Sequence, residues 1–121
     1  MIAHDGDCRA DMGAAVALFR SLGDPTRLAI VHELAQGEQR VVDLTRALGL
    51  AQSTISAHLS CLAGCGLVTG RPVGRQSFYR LTQPKLVSVL AAAEELLAAT
   101  GSAVALCPVY GTAASPEAVS A

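Results

Sequence analysis

Ala51–Val68, AQSTISAHLSCLAGCGLV, is the stretch whose reading decides the fold. At about 100° per residue, Ile55, Leu59 and Leu62 fall at i, i+4 and i+7 and make one apolar stripe of a helix. Ser53, Ser56, Ala57 and Ser60 make a second face of small and hydroxylic side chains, suited to lying close to another surface. Thr54, His58, Cys61 and Cys65 make a third stripe between those two. Gly64 and Gly66 end the helix, because glycine accepts the left-handed backbone that a helix C-terminus needs. Two thiols therefore lie on the flank between a core face and a docking face of one helix.

Immediately upstream, Val42–Leu48 reads as a short helix with Leu44 and Leu48 inward and Gly49 at its end. Leu50 to Gln52 is a tight turn, so the pair is a helix-turn-helix. Further back, Asp24-Pro25 is a start signal, with Asp as N-cap and Pro at the first helical position. The helix it opens has Leu28, Val31, His32 and Leu34–Ala35 on one side and stops at Gly37. Asp11–Ser21 carries Met12, Ala15, Val16 and Phe19 on one helical face. Downstream of Gly66 the period shortens. Leu67–Pro72 and Gln76–Leu81 read as strands around a Val73-Gly74-Arg75 turn, and Pro72 assigns its strand to an edge. Thr82 is placed to cap a last helix, Gln83–Thr100. Leu86, Leu90, Ala93 and Leu97 line one side of it, with a second copy of the chain and the first helix as its expected partners. The expectation is a mainly α fold with a small β-hairpin, a homodimeric winged helix-turn-helix in the order α-α-α-α-β-β-α. Residues 1–10, with His4 and Cys8, form a mobile arm; 11–100 form one domain; 101–121, with Cys107, form a flexible tail.

The chain has 121 residues, enough for one domain with a modest core that dimerisation would complete. Its net charge of −1 gives no global signal for nucleic acid. The charge is unevenly placed, however. Between Gln39 and Leu90, Arg40, Arg46, Arg71, Arg75, Arg80 and Lys85 stand against Asp43 alone, a net of +5. Such asymmetry builds an anion-binding surface on a near-neutral protein. The first residues, MIAHDGDCRAD, are unlike a signal peptide, and no apolar run is long enough for a membrane span. A cytoplasmic protein is expected, where four cysteines read as ligands or sensors rather than a disulfide frame.

A helix-turn-helix followed by a basic hairpin points to double-stranded DNA. The major groove admits a helix and displays distinct base edges. Gln52, Ser53, Thr54, Ser56 and Ala57 lie at the N-terminal end of the second helix, where side chains reach bases and amides reach phosphate. His58 packs or bonds near the DNA backbone. Arg75 at the wing tip is placed for the minor groove or its phosphates. The plainer alternative makes these residues ordinary solvated surface. Cys61 and Cys65, at i and i+4, have Cβ atoms about 5–6 Å apart, wider than the roughly 3.5–4.5 Å of a disulfide. A soft cation suits them better, and thiolates select Cd(II), Pb(II), Zn(II) or Cu(I). Read from spacing alone, they are equally well two small core residues. No catalytic triad, phosphate loop, C-x-x-C motif or paired-carboxylate arrangement stands out, so an enzyme is not expected.

Taken in order, SLGDPTRLAIVHEL (21–34), VVDLTRALGLAQSTISAHLSCL (41–62), GLV (66–68) and GRQSFYRL (74–81) resemble the ArsR/SmtB family of metal-responsive repressors. The resemblance runs from about Val16 to Leu97. It implies a homodimer that binds an operator near its own gene and leaves it when metal binds. LSCLAGCGLV is similar to the cadmium/lead-sensing, CmtR-type branch of that family. That likeness implies Cys61 and Cys65 as two metal ligands and Cys107 of the tail as the third, with Cd(II) or Pb(II) as inducer and Zn(II) or As(III) as further candidates. Cys8 matches an N-terminal ligand used elsewhere in the family and is the candidate fourth sulfur. The family's other site, on the last helix, uses Asp and His pairs. Here that helix offers only Glu94 and Glu95, read as a solvated face. Alternatives within the same fold are an arsenite-responsive repressor and a thiol-redox or sulfide sensor pairing distant cysteines such as Cys8 and Cys107. Ala51 departs from the Ser or Thr common ahead of this helix, which removes a capping oxygen worth about 1 kcal/mol.

Overall fold

A computed structural model describes residues 2–102, 104 and 106, with side chains from Met12 onward. In chain order it has α1 (Ile2–Leu22), α2 (Pro25–Leu34), β1 (Gln39–Arg40), α3 (Val41–Leu48), α4 (Gln52–Gly64), β2 (Val68–Val73), β3 (Gln76–Leu81) and α5 (Lys85–Ala99). The expected helix order and wing are present. α1 starts at Ile2 rather than Asp11, so helical backbone takes in the stretch read as an arm. Of the tail, only residues 101, 102, 104 and 106 are described, and Cys107 lies outside the described residues.

The hairpin is part of a three-stranded antiparallel sheet in the order β1-β3-β2. β1 escaped the sequence reading because two residues carry no periodicity. It pairs Gln39 with Tyr79 and Arg40 with Phe78, and so ties the entry of α3 to the wing. Pro72 does sit on an edge strand, where a missing N–H costs no ladder bond. Val73 pairs with Gln76, which leaves Gly74-Arg75 as a two-residue turn. On the same strand a Cβ added at Gly70 would lie 2.8 Å from the Tyr79 ring. Glycine is what lets that ring come so close to β2.

The core gathers Ile30, Val31 and Leu34 of α2, Leu44 of α3, Ile55, Leu59 and Leu62 of α4, Leu67, Val68, and Leu86 and Leu90 of α5. The stripe read from α4 is thus the inward one, and Ile55 and Leu62 are completely inaccessible. Asp24 caps α2 as its sequence predicts, accepting from the Arg27 amide at 3.0 Å. α4 has no side-chain cap at Ala51. It ends where Leu67 N–H donates to the Leu62 carbonyl and Gly66 takes φ of +76°, a glycine-terminated helix end that satisfies otherwise orphan carbonyls.

Two expectations need correction. Thr82 does not cap the last helix: the N-cap position falls on Pro84, and Thr82 Oγ1 is buried with no hydrogen-bond partner among the described residues. Glu94 is not on a solvated face: it is 0 % exposed and accepts a hydrogen bond from the Leu106 amide. Leu86 and Leu90 are buried in this chain's core, and Ala93 and Leu97 on the same side of α5 are half-buried. The outward apolar residues of α5 are Val89 and Leu96, and those of α1 are Met12, Val16 and Phe19.

Candidate nucleic-acid interface and thiol flank

Gln52, Ser53, Ser56 and Ala57 are all exposed at the N-terminal end of α4, on the side opposite its core stripe, and Thr54 is half-buried. The fold brings two of them to the wing. Gln52 and Ser56 line one cleft of about 400 Å³ with Arg40, Arg75, Gln76 and Tyr79. Arg75 is 23 positions from Gln52 in the chain and joins it only through the hairpin. Gln76 and Tyr79 were missed by sequence reasoning, and Arg40 entered it only through the regional charge. The register of β1 against β3 was the signal that would have found them, and it needs the sheet to be seen.

Charge at this surface is arranged by pairing. Asp43 accepts from the Arg40 backbone amide at 2.9 Å and from its guanidinium at 3.0 and 2.9 Å. Those bonds hold the Asp43 carboxyl down at about 2. Arg40 also donates to Gln76 Oε1 at 3.3 Å, so one guanidinium fastens α3 to the wing. Arg71 is bound by Glu38 at 2.7 and 3.2 Å and lies 5.4 Å from the Phe78 ring centroid. The Arg71 guanidinium lowers the Glu38 carboxyl below its ordinary value. The hairpin therefore does have an acid against it, from a position just outside the basic segment counted in the sequence. Arg75 is exposed at the turn.

His58 is half-buried and turned toward α2. Arg27 donates to its Nδ1 at 3.4 Å, and Asp24 Oδ2 lies 3.9 Å from that nitrogen. Arg27 also donates to the carbonyls of Ser21 and Arg20, which links the end of α1, the start of α2 and the middle of α4. The same link runs through a thiol: Cys65 Sγ and Ser21 Oγ are 2.9 Å apart, and Ser21 is 3 % exposed.

Cys61 and Cys65 are free thiols, both exposed. The plainer reading, two small core residues, does not describe them, because Ile55, Leu59 and Leu62 fill the core side of the helix. Their spacing fits two ligands of a soft ion. Among the described residues no group of three or more His, Cys, Asp or Glu could hold a metal. Cys107, the expected third, and the side chain of Cys8 lie outside the described residues. No helix among those residues is long and apolar enough to cross a membrane.

Residues 24–69 match the model for bacterial regulatory proteins of the arsR family. The HTH-type transcriptional regulator CmtR of Mycobacterium tuberculosis is 42% identical over 83 residues, 69% of this chain and 70% of that protein. The NMR structure of the cadmium metal-sensor CMTR from the same organism superposes with a TM-score of 0.56 at 43% identity, covering 64% of this chain and 80% of that one. A probable mercury resistance operon repressor of Streptomyces lividans is 34% identical over 89 residues, 74% of this chain and 71% of that protein. The NMR structure of a homodimeric winged helix-turn-helix DNA-binding domain from Mycobacterium bovis superposes with a TM-score of 0.68 at 30% identity, covering 73% of this chain and 82% of that one.

Proposed function

The chain belongs to the arsR family of bacterial regulatory proteins, and from that membership we propose that it is a dimeric, metal-responsive repressor of transcription. In this reading α4 enters the major groove of operator DNA, with Gln52, Ser53, Thr54, Ser56 and Ala57 at the bases and Arg75 on the adjacent backbone or minor groove. His58, whose Nδ1 is already engaged by Arg27, holds the angle of the helix beside the DNA backbone. The inducer is a soft thiophilic ion, Cd(II) or Pb(II), held by Cys61, Cys65 and Cys107, with Cys8 as an additional sulfur. Relatives named as a cadmium sensor and a mercury repressor support a thiophilic ion. No catalytic step is proposed, and the relatives are regulators rather than enzymes.

One observation carries the proposal. The helix that exposes Gln52 and Ser56 to the cleft also exposes two thiols one turn apart on its flank. An ion drawing Cys65 to two other sulfurs must disturb its 2.9 Å contact with Ser21 at the end of α1. Ligation thus pulls on the junction that sets the orientation of α4. Coupling of this kind is typically worth about 1–3 kcal/mol, or about 5- to 150-fold in affinity, and is reciprocal between the two ligands. The test is a fluorescence-anisotropy titration of Cd(II) into the protein bound to a duplex from upstream of its own gene. Wild type is expected to release the DNA and Cys61→Ser to retain it. Release by Cys61→Ser equal to wild type would refute the mechanism.

A further inference from the structure

Leu106, the last described residue, is gripped at both of its backbone groups. Its N–H donates to the Glu94 carboxylate of α5, and its carbonyl accepts from Nδ1 of His32 in α2 at 2.9 Å. A carbonyl cannot donate, so this imidazole carries a proton on Nδ1. The Leu106 side chain packs against the core. Glu94 is wholly inaccessible, and a buried carboxylate is tolerated only where hydrogen bonds replace its lost water. The tail amide supplies one. The reading of Glu94 as a solvated side chain is corrected by this contact.

We propose that His32 and Glu94 form a clamp on the main chain that seats the tail at Leu106 and sets the reach of Cys107, the next residue. This rests on the reading of Cys107 as the third thiol. Both are positioning residues and touch no ion. A free tail must lose its conformational entropy when a sulfur is captured, and a seated tail has lost much of it beforehand. The clamp holds one N–H and one C=O and reads no side chain, while leucine at 106 adds an apolar anchor. It also joins α2, which positions the helix-turn-helix, to α5, so ligation by the tail is felt at both helices.

The test uses the full chain. In metal-free protein the Leu106 amide is expected to exchange with deuterium at least about 10-fold more slowly than an unstructured amide. His32→Phe keeps the ring and deletes the donor. It is expected to lose that protection while the amides of α2 and α5 stay protected, which reports an intact fold. Leu106→Pro removes the tail N–H without altering either helix. By thiolate-to-metal charge-transfer absorption, both variants are expected to bind Cd(II) about 10-fold more weakly, the scale of losing a group that orients a ligand. Combining His32→Phe with Cys107→Ser is expected to add nothing beyond Cys107→Ser alone. Free exchange at Leu106 in wild type overturns the clamp. Wild-type Cd(II) affinity in both clamp variants, with a loss in Cys107→Ser, overturns the positioning role and leaves the thiol site standing. Unchanged affinity in Cys107→Ser overturns the three-thiol reading and the positioning role with it, while the exchange measurement still decides the clamp.

Discussion

Asp43 is the residue on which the start of α3 turns. It accepts from the amide of Arg40 and twice from its guanidinium, which lowers its carboxyl from 3.8 to about 2. A carboxyl depressed on folding adds stability above its ordinary value and loses it as pH falls through the folded one. Asp24 and Glu38 are shifted the same way, through the Arg27 amide and the Arg71 guanidinium respectively. The melting temperature is therefore expected to fall as pH drops from 3.8 toward 2, and Asp43→Asn is expected to flatten that fall. Equal acid slopes for the two proteins in thermal scans would remove Asp43 from the account. The partners were legible to different degrees. Asp24 with Pro25 announces a helix start within a few residues. Glu38 with Arg71 spans 33 positions, and nothing local in the sequence announces it.

Among the elements, α4 and the wing share the cleft proposed to face DNA. The apolar stripe of α4 was readable because a buried helix face repeats every three or four residues whatever lies opposite. Its polar face was readable for the same reason. That Gln52 and Ser56 share a cleft with Arg75 was not, since this depends on how β2 and β3 fold back and on the pairing of β1 with β3. Arg75 is exposed at a turn that Gly74 makes at φ of +62°. If it lies on phosphate, Arg75→Ala weakens DNA binding nearly uniformly across sequences. It also lowers the slope of log affinity against log salt by about one for each protomer. Binding isotherms at four or five salt concentrations give the slope, and an unchanged slope places Arg75 off the phosphates.

For the whole molecule, the apolar residues left outside are as informative as the core. Met12, Val16 and Phe19 recur at i, i+4 and i+7 on α1, and Phe19 is 64 % exposed. Val89 and Leu96, seven apart, lie outward on α5, with Leu96 at 66 %. Two outward stripes on the first and last helices are what a self-complementary dimer would cover, in keeping with the homodimeric relative. Phe19→Glu would bury a charge in such an interface and is expected to shift the protein toward monomer in sedimentation velocity. A sedimentation coefficient equal to wild type at matched concentration would move the interface elsewhere.

The sequence by itself determined the helix order, the inward stripe of α4, the edge position of Pro72, the cap at Asp24 and the spacing of Cys61 and Cys65. Each of these is set by neighbours within about one helical turn or one strand, where backbone geometry repeats. Only the tertiary structure decided that Glu94 is buried under Leu106, that Arg71 is neutralised by Glu38, and that Cys65 leans on Ser21 across 44 positions. The outward turn of Phe19 and Leu96 belongs with these. A polar or charged side chain takes its partner from whatever the packed core brings within about 3 Å, and that choice is made only after the core has closed.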